Sequence, residues 1–390
     1  MASEFPALRG RMGELDFCVL VMKLGEVVKH VGYAEDVQHW DDGIPAEHKK
    51  QRKLNRQRII NEMVPYLTVN PDHFYAAITV ELERPGDPAN GMVFQPFDGQ
   101  ESLGVLKFDG TELLMALDGQ HRLKSIELAL KEQPDLSRES IAVLVVPGRG
   151  YRRSQQLFSD LNRYAKQPSK TLNLLFEHRE FFARVAKGVA DKAVSFQERV
   201  NLETNSLGRK TRHHMTLAVL YECVVSLLDG SYGENEKDSA KLEEAVSTVV
   251  HVYDDVVFPS LLDFKRILGG ELMPYDLRCK YIYSHSVGQQ AIAKALRASR
   301  DHFGTKWEEV VRTGFPKIDW KITNVEWEGS AVQGGAIQTR RQNVEHTATV
   351  IKIKLGVPVE TVELESLKGA IQATDPKRNL PEPLVRLKAA

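Results

Sequence analysis

The chain has 390 residues, 42% of them hydrophobic and 27% charged, with 52 Lys plus Arg against 53 Asp plus Glu for a net charge of −1. That length predicts two domains, since a single core stops growing at ~250 to 300 residues, and the ordinary composition excludes extensive disorder. Near-neutrality also excludes a uniformly basic nucleic-acid binder, so a surface for DNA has to arise by local segregation of charge.

Cys18, Cys223 and Cys279 are isolated, which argues against a zinc site or a disulfide framework and for a reducing compartment. No apolar run approaches ~20 residues and no basic-then-apolar leader opens the chain, so the expected location is cytoplasmic, with no membrane partner.

In chain order, residues 15–23 read as a strand, being dense in apolar and β-branched side chains. Residues 46–60 contain no Gly or Pro and read as a helix. That helix is basic: Lys49, Lys50, Arg52, Lys53, Arg56 and Arg58 face the single acid Glu47. A solvated helix face ordinarily mixes signs, so one-sign charge here predicts phosphate contact. Residues 75–82 read as the next strand. Residues 103–108 and 113–117 read as a hairpin turned by Asp109-Gly110, and residues 141–146 as a further strand closed by Pro147-Gly148.

The most informative stretch is Asp118-Gly119-Gln120-His121-Arg122. The apolar run 113–117 precedes it, and Leu123, Ile126 and Leu130 come after it at helical spacing. A strand, a glycine turn and a helix start are therefore predicted in succession. The first turn of a helix carries unpaired N–H groups and the positive end of its dipole, so the junction is an expected anion site. Gly119 would allow close backbone approach, Gln120 and His121 would hydrogen-bond, and Arg122 would grip phosphate bidentately. An alternative role for Asp118 is to hold a metal ion through a nucleotide, and Asp118 and His121 are the candidates should the box be catalytic. The competing reading is a structural turn in which Arg122 pairs with Asp118.

Beyond the box, Arg149, Arg152, Arg153, Arg163, Lys166 and Lys170 form a second basic group interleaved with Tyr151, Phe158 and Tyr164. A third is Arg209-Lys210-Thr211-Arg212-His213-His214. Both are expected to contact DNA phosphates, in competition with ordinary surface roles. No carboxylate or cysteine stands at metal-ligand spacing from His213 and His214, so no metal site is expected. From Ser169 onward the chain reads as helical, over 171–189, 213–228, 240–257, 287–298 and 342–355, with Trp320 and Trp327 anchoring a core. Neither a Gly-x-Ser-x-Gly elbow nor a Walker A loop is present.

The five-residue box resembles the signature of DGQHR-domain proteins, and the chain is similar to the DndB family of DNA sulfur modification (phosphorothioation) proteins. Gln51-Arg52, Arg56-Gln57-Arg58, Asn70-Pro71-Asp72-His73-Phe74, Leu161-Asn162-Arg163 and Ile318-Asp319-Trp320 extend the resemblance over most of its length. It implies an α+β fold: a ParB/sulfiredoxin-like mixed α/β DGQHR core over 1–170, a mainly helical extension over 171–375 and an extended tail over 376–390. It implies that the Gly-x-x-Arg junction holds nucleotide phosphate with Asn162 beside it, and it makes Cys18 a candidate DNA-binding cysteine. The implied function is a DNA-binding transcriptional regulator, a repressor, of a phosphorothioate modification gene cluster. Its implied partners are double-stranded promoter DNA, other DNA sulfur modification proteins and further copies of itself. The alternative is a nucleotide-dependent switch or DNA-processing enzyme that uses ATP with Mg at the box.

Overall fold

Among the described residues, eight strands form one mixed sheet in the order β3-β7-β4-β8-β2-β1-β6-β5. They are β1 (Ser3–Met12), β2 (Leu15–Lys23), β3 (Val31–Tyr33), β4 (Ile78–Glu83), β5 (Val93–Pro96), β6 (Leu103–Phe108), β7 (Leu113–Asp118) and β8 (Ser140–Pro147). Pairs β3/β7 and β4/β8 are parallel and the rest antiparallel. The structure, a computed structural model, describes residues 3–33, 54–83, 92–149, 151–163, 169–208, 210–228, 232–233 and 238–385, without the side chains of Tyr151, Asn162, Arg163 and Leu262.

Side chains alternate across a strand, and the apolar set obeys that alternation. Cys18, Leu20 and Met22, Ile78, Val80 and Leu82, Leu114 and Ala116, and Val143 and Val145 make one buried face. Among the described residues, four α-helical segments belong to this unit: α1 (Leu24–His30), α2 (residues 56–68), α3 (Gln120–Glu132) and α4 (Tyr151–Arg163). Leu123, Ile126 and Ala129 of α3, Val27 of α1 and Ile59, Val64 and Leu67 of α2 complete the core on that face. On the other face, Leu157 and Leu161 of α4 pack against Met115, Leu117 and Val146.

The expected hairpin does not form. β6 pairs with β1 and β5, whereas β7 pairs with β3 and β4. The Asp-Gly turn signal is absorbed locally, because the Glu112 carboxylate accepts from the N–H groups of Asp109 and Gly110 at 3.0 and 2.9 Å. The two strands lie five places apart in the order, roughly 24 Å across a flat sheet, while the link from Phe108 to Leu113 reaches at most about 17 Å. The sheet is therefore curled on itself.

The basic helix also differs from expectation. Residues 34–53, and with them Lys49, Lys50, Arg52 and Lys53, lie outside the described residues. Asn55 is an N-cap whose Oδ1 accepts from the Arg58 N–H at 3.1 Å. The helix therefore starts at Arg56 and runs past Ile60, through a π turn at Ile59–Met63, to Val64–Thr68.

The chain divides into two units, Met1–Lys166 and Gln167–Ala390. The second is mainly helical. The stretch expected as one helix over 171–189 is two, α5 (Lys170–Phe176) and α6 (Phe181–Lys192), because Glu180 caps the second through the N–H groups of Phe182 and Ala183. Residues 213–228 begin instead with a short strand, β10 (Met215–Thr216), paired in parallel to β9 (Val200–Asn201), before α7 (Leu217–Leu228). Trp320 and Trp327 are stacked at 5.6 Å within this core. Among the described residues no helix is long and apolar enough to cross a membrane.

Candidate anion and nucleic-acid site

The box sits where β7 hands over to α3. β4 and β7 shift register between Thr79 and Val80, which leaves Leu117 as an additional residue on β7 immediately before Asp118. Such a bulge bends the strand and re-aims the residues beyond it. Gly119 then adopts φ +92°, a left-handed conformation that glycine tolerates, and serves as the N-cap of α3 without any side-chain cap. A Cβ there would stand 3.2 Å from both Arg122 Nε and Ile78 Cγ1.

Each polar side chain of the box has a partner within the protein. Arg122 Nη1 donates to the carbonyls of Ala76 and Ala77, both at 2.8 Å, and Nη2 pairs with Asp118 Oδ2. Gln120, buried, donates its amide back to the Ala116 carbonyl at 3.0 Å. His121 Nε2 accepts the Asn55 N–H at 3.0 Å. Burial, and next the Arg58 charge, hold the His121 pKa below its ordinary value, consistent with a neutral, accepting imidazole. Beneath the box, Ser125 Oγ donates to the Arg122 carbonyl at 2.8 Å and meets the Tyr75 hydroxyl at 3.0 Å. The box is thus a locked junction, and the groups it offers an anion are the first-turn N–H groups of α3.

The His121 bond brings the start of α2 to this junction, with Arg56 and Arg58 exposed on it. Arg58 also lies 3.5 Å from Glu62. On α4, Arg152 and Arg153 are exposed, as is Arg149, whose Nη2 donates to the Glu14 carbonyl at 2.7 Å. Asn162 and Arg163 fall in the last turn of α4 with side chains outside the description, and Lys166 and Arg209 lie outside the described residues altogether. Lys210 and Arg212 are exposed in the second unit, Arg212 standing 3.6 Å from Glu198. Among the described residues, no group of three His, Cys, Asp or Glu could hold a metal ion.

Cys18, the candidate DNA-binding cysteine, lies in the core. It is a core side chain of β2 with 0% exposure, and burial pushes its thiol up to about 11. A thiol so placed packs in the core between the sheet and the helices that cover it.

Two groups escaped the sequence reading. Asn55 is one, although an Asn just ahead of a helix is a recognisable capping signal. The other is Glu81 in β4, which is 2% exposed. Its Oε1 accepts the Ser154 hydroxyl of α4, and its Oε2 is buried without a well-formed hydrogen bond among the described residues, the Arg149 N–H lying close enough to the carboxylate to oppose its rise weakly. Burial raises the Glu81 carboxyl to about 7 against the smaller opposing pull of the Ser154 hydrogen bond. Nothing in the strand's sequence signals this, because α4 arrives from about 70 residues downstream to cover it.

The DndB family model, described as DNA-sulfur modification-associated, matches residues 5–358. No curated protein and no solved structure matches the chain. The matched span includes nearly the whole sheet, the box and most of the helical unit. The chain belongs to the DndB family of DNA-sulfur modification-associated proteins.

Proposed function

We propose that the protein is a DNA-binding regulator of a phosphorothioate modification gene cluster, acting as a repressor, and that the box is the scaffold of its phosphate-binding surface. The observation that carries this reading is the His121–Asn55 hydrogen bond, since it couples the N-terminal turn of α3 to the exposed Arg56 and Arg58. Helix N–H groups and arginines together suit phosphate oxygens. Family membership supplies the link to DNA sulfur modification, with the other proteins of that system as candidate partners.

The test is fluorescence anisotropy of duplex DNA against salt. The logarithm of affinity should fall linearly with that of salt, and the slope should shrink by about 0.9 for each phosphate that is no longer neutralised. Arg56→Gln with Arg58→Gln should therefore flatten it. Salt-independent binding, or a slope untouched by that pair, would remove the DNA reading. Equal affinity for the cluster's own promoter and for unrelated duplex would remove the repressor reading alone.

A second reading, a nucleotide-dependent switch or enzyme, is favoured by the uncapped N-terminus of α3 behind a left-handed glycine, a geometry that accepts a phosphate. Binding of ATP that Arg58→Ala abolishes, without phosphate release by the wild type, would make it a switch. Phosphate release that disappears in the same variant would make it an enzyme.

A further inference from the structure

The second unit contains a cavity of about 730 Å³ that the DNA reading does not use. Its wall is built from the loop after β9, the start of β10, the end of the short helix α8 (Pro274–Arg278) and the first turn of α9 (Ser286–Phe303). The volume falls within the range of small-molecule sites. Its lining includes Arg278 but no Asp or Glu among the described residues, so the cavity favours a negative guest.

Several independent features converge there. Arg278 donates to the carbonyls of His213 and Gly208 at 2.8 and 3.4 Å and so holds both ends of the basic loop that carries the exposed Lys210 and Arg212. α9 opens into the wall with no side-chain cap on its first turn. His285, the N-cap residue, places Nε2 2.7 Å from the Arg278 carbonyl, which fixes Nε2 as the donor and leaves Nδ1 an acceptor. Ser284 and His214, at 4% and 3% exposure, each bury a polar atom, Oγ and Nε2, that has no partner among the described residues; both atoms are closed off from the cavity, and the His214 ring packs against Phe258 and Phe264, so the wall's contacts to a guest come from Arg278 and the first turn of α9. Leu207, Met215, Val219 and Tyr275 supply an apolar side.

We propose that this cavity binds a nucleoside phosphate, its phosphate held by Arg278 and the first turn of α9 and its body lying against the apolar side. Cys279 makes the proposal measurable. It lines the cavity and is exposed, whereas Cys18 and Cys223 are buried, so a thiol reagent applied to the folded full-length chain reads Cys279. The experiment measures the rate of that reaction with AMP, ATP or inorganic phosphate present.

A nucleotide should slow the reaction saturably, and inorganic phosphate should do so only at much higher concentration. Arg278→Ala should raise the half-protecting concentration about tenfold, the worth of one charge-assisted contact. Lys368→Ala, exposed and outside the lining, should leave it unchanged. Absence of protection at millimolar nucleotide overturns the proposal, as does protection that Arg278→Ala leaves unchanged.

Discussion

His121 accepts through Nε2 the backbone N–H of Asn55, 66 residues earlier in the chain, at 3.0 Å. Asn55 in turn caps α2 by accepting the Arg58 N–H. One imidazole therefore fixes where the described arginines of the basic segment begin relative to the first turn of α3. An accepting Nε2 requires the neutral ring with its proton on Nδ1.

His121→Ala should cost about 1 kcal/mol of stability at neutral pH, the worth of one hydrogen bond that leaves its donor behind. The folded pKa of His121 lies below its ordinary 6.5, so its contribution is present above that value and is lost as pH falls through the lowered one. Urea unfolding should show a larger penalty at pH 8 than at pH 5. An equal penalty at both would mean that the ring does not act as the acceptor.

Arg122 holds the Ala76 and Ala77 carbonyls and Asp118 together. Arg122→Ala should cost about 2 kcal/mol, because it orphans two carbonyls and a carboxylate. Lysine is a point charge without the planar fork and should recover less than half of that. Gly119→Ala should add a further penalty of about 1 kcal/mol or more through its φ of +92°. Denaturant midpoints of the three variants check this. An Arg122→Ala protein as stable as wild type but unable to bind nucleotide or DNA would return Arg122 to direct phosphate contact.

Cys18→Ala should lower stability by about 1 kcal/mol, by removal of a small buried group. DNA affinity, measured where both proteins remain folded, should be unchanged. Cys18 should also resist thiol reagents until the sheet opens, since it has no exposure and a raised pKa. Alkylation of Cys18 at the native-state rate of an exposed thiol would contradict its place in the core.

The strand before the box and the helix after it were legible because both signals are local: the apolar run 113–117, then Leu123 and Ile126 one turn apart. The Asp118–Arg122 pair was legible as an alternative, being four residues apart. The carbonyls that share Arg122 were not, since Ala76 and Ala77 come from before β4. The hairpin failed for the converse reason: Asp109-Gly110 is a local signal, while the strand partners are chosen by burial across the sheet. Likewise, the buried state of Glu81 depends on a helix that arrives much later in the chain.

Glu81 gives the clearest pH prediction. Its carboxyl rises from 4.5 to about 7 on burial, so in that window the folded chain keeps a proton that the unfolded chain has released. The contribution is fully present below about 4.5 and is lost as pH rises through about 7, a change on the order of 3 kcal/mol at 1.36 kcal/mol per pKa unit. Glu81→Gln keeps an acceptor for the Ser154 hydroxyl and cannot ionise. Its midpoint should match the wild type near pH 4.5 and exceed it increasingly toward pH 8. Because Ser154 lies on α4 beside Arg152 and Arg153, ionised Glu81 should also loosen that helix, and amide exchange in α4 should quicken above pH 7 in the wild type alone. Parallel pH profiles for the two proteins would show that Glu81 is not held protonated by the fold.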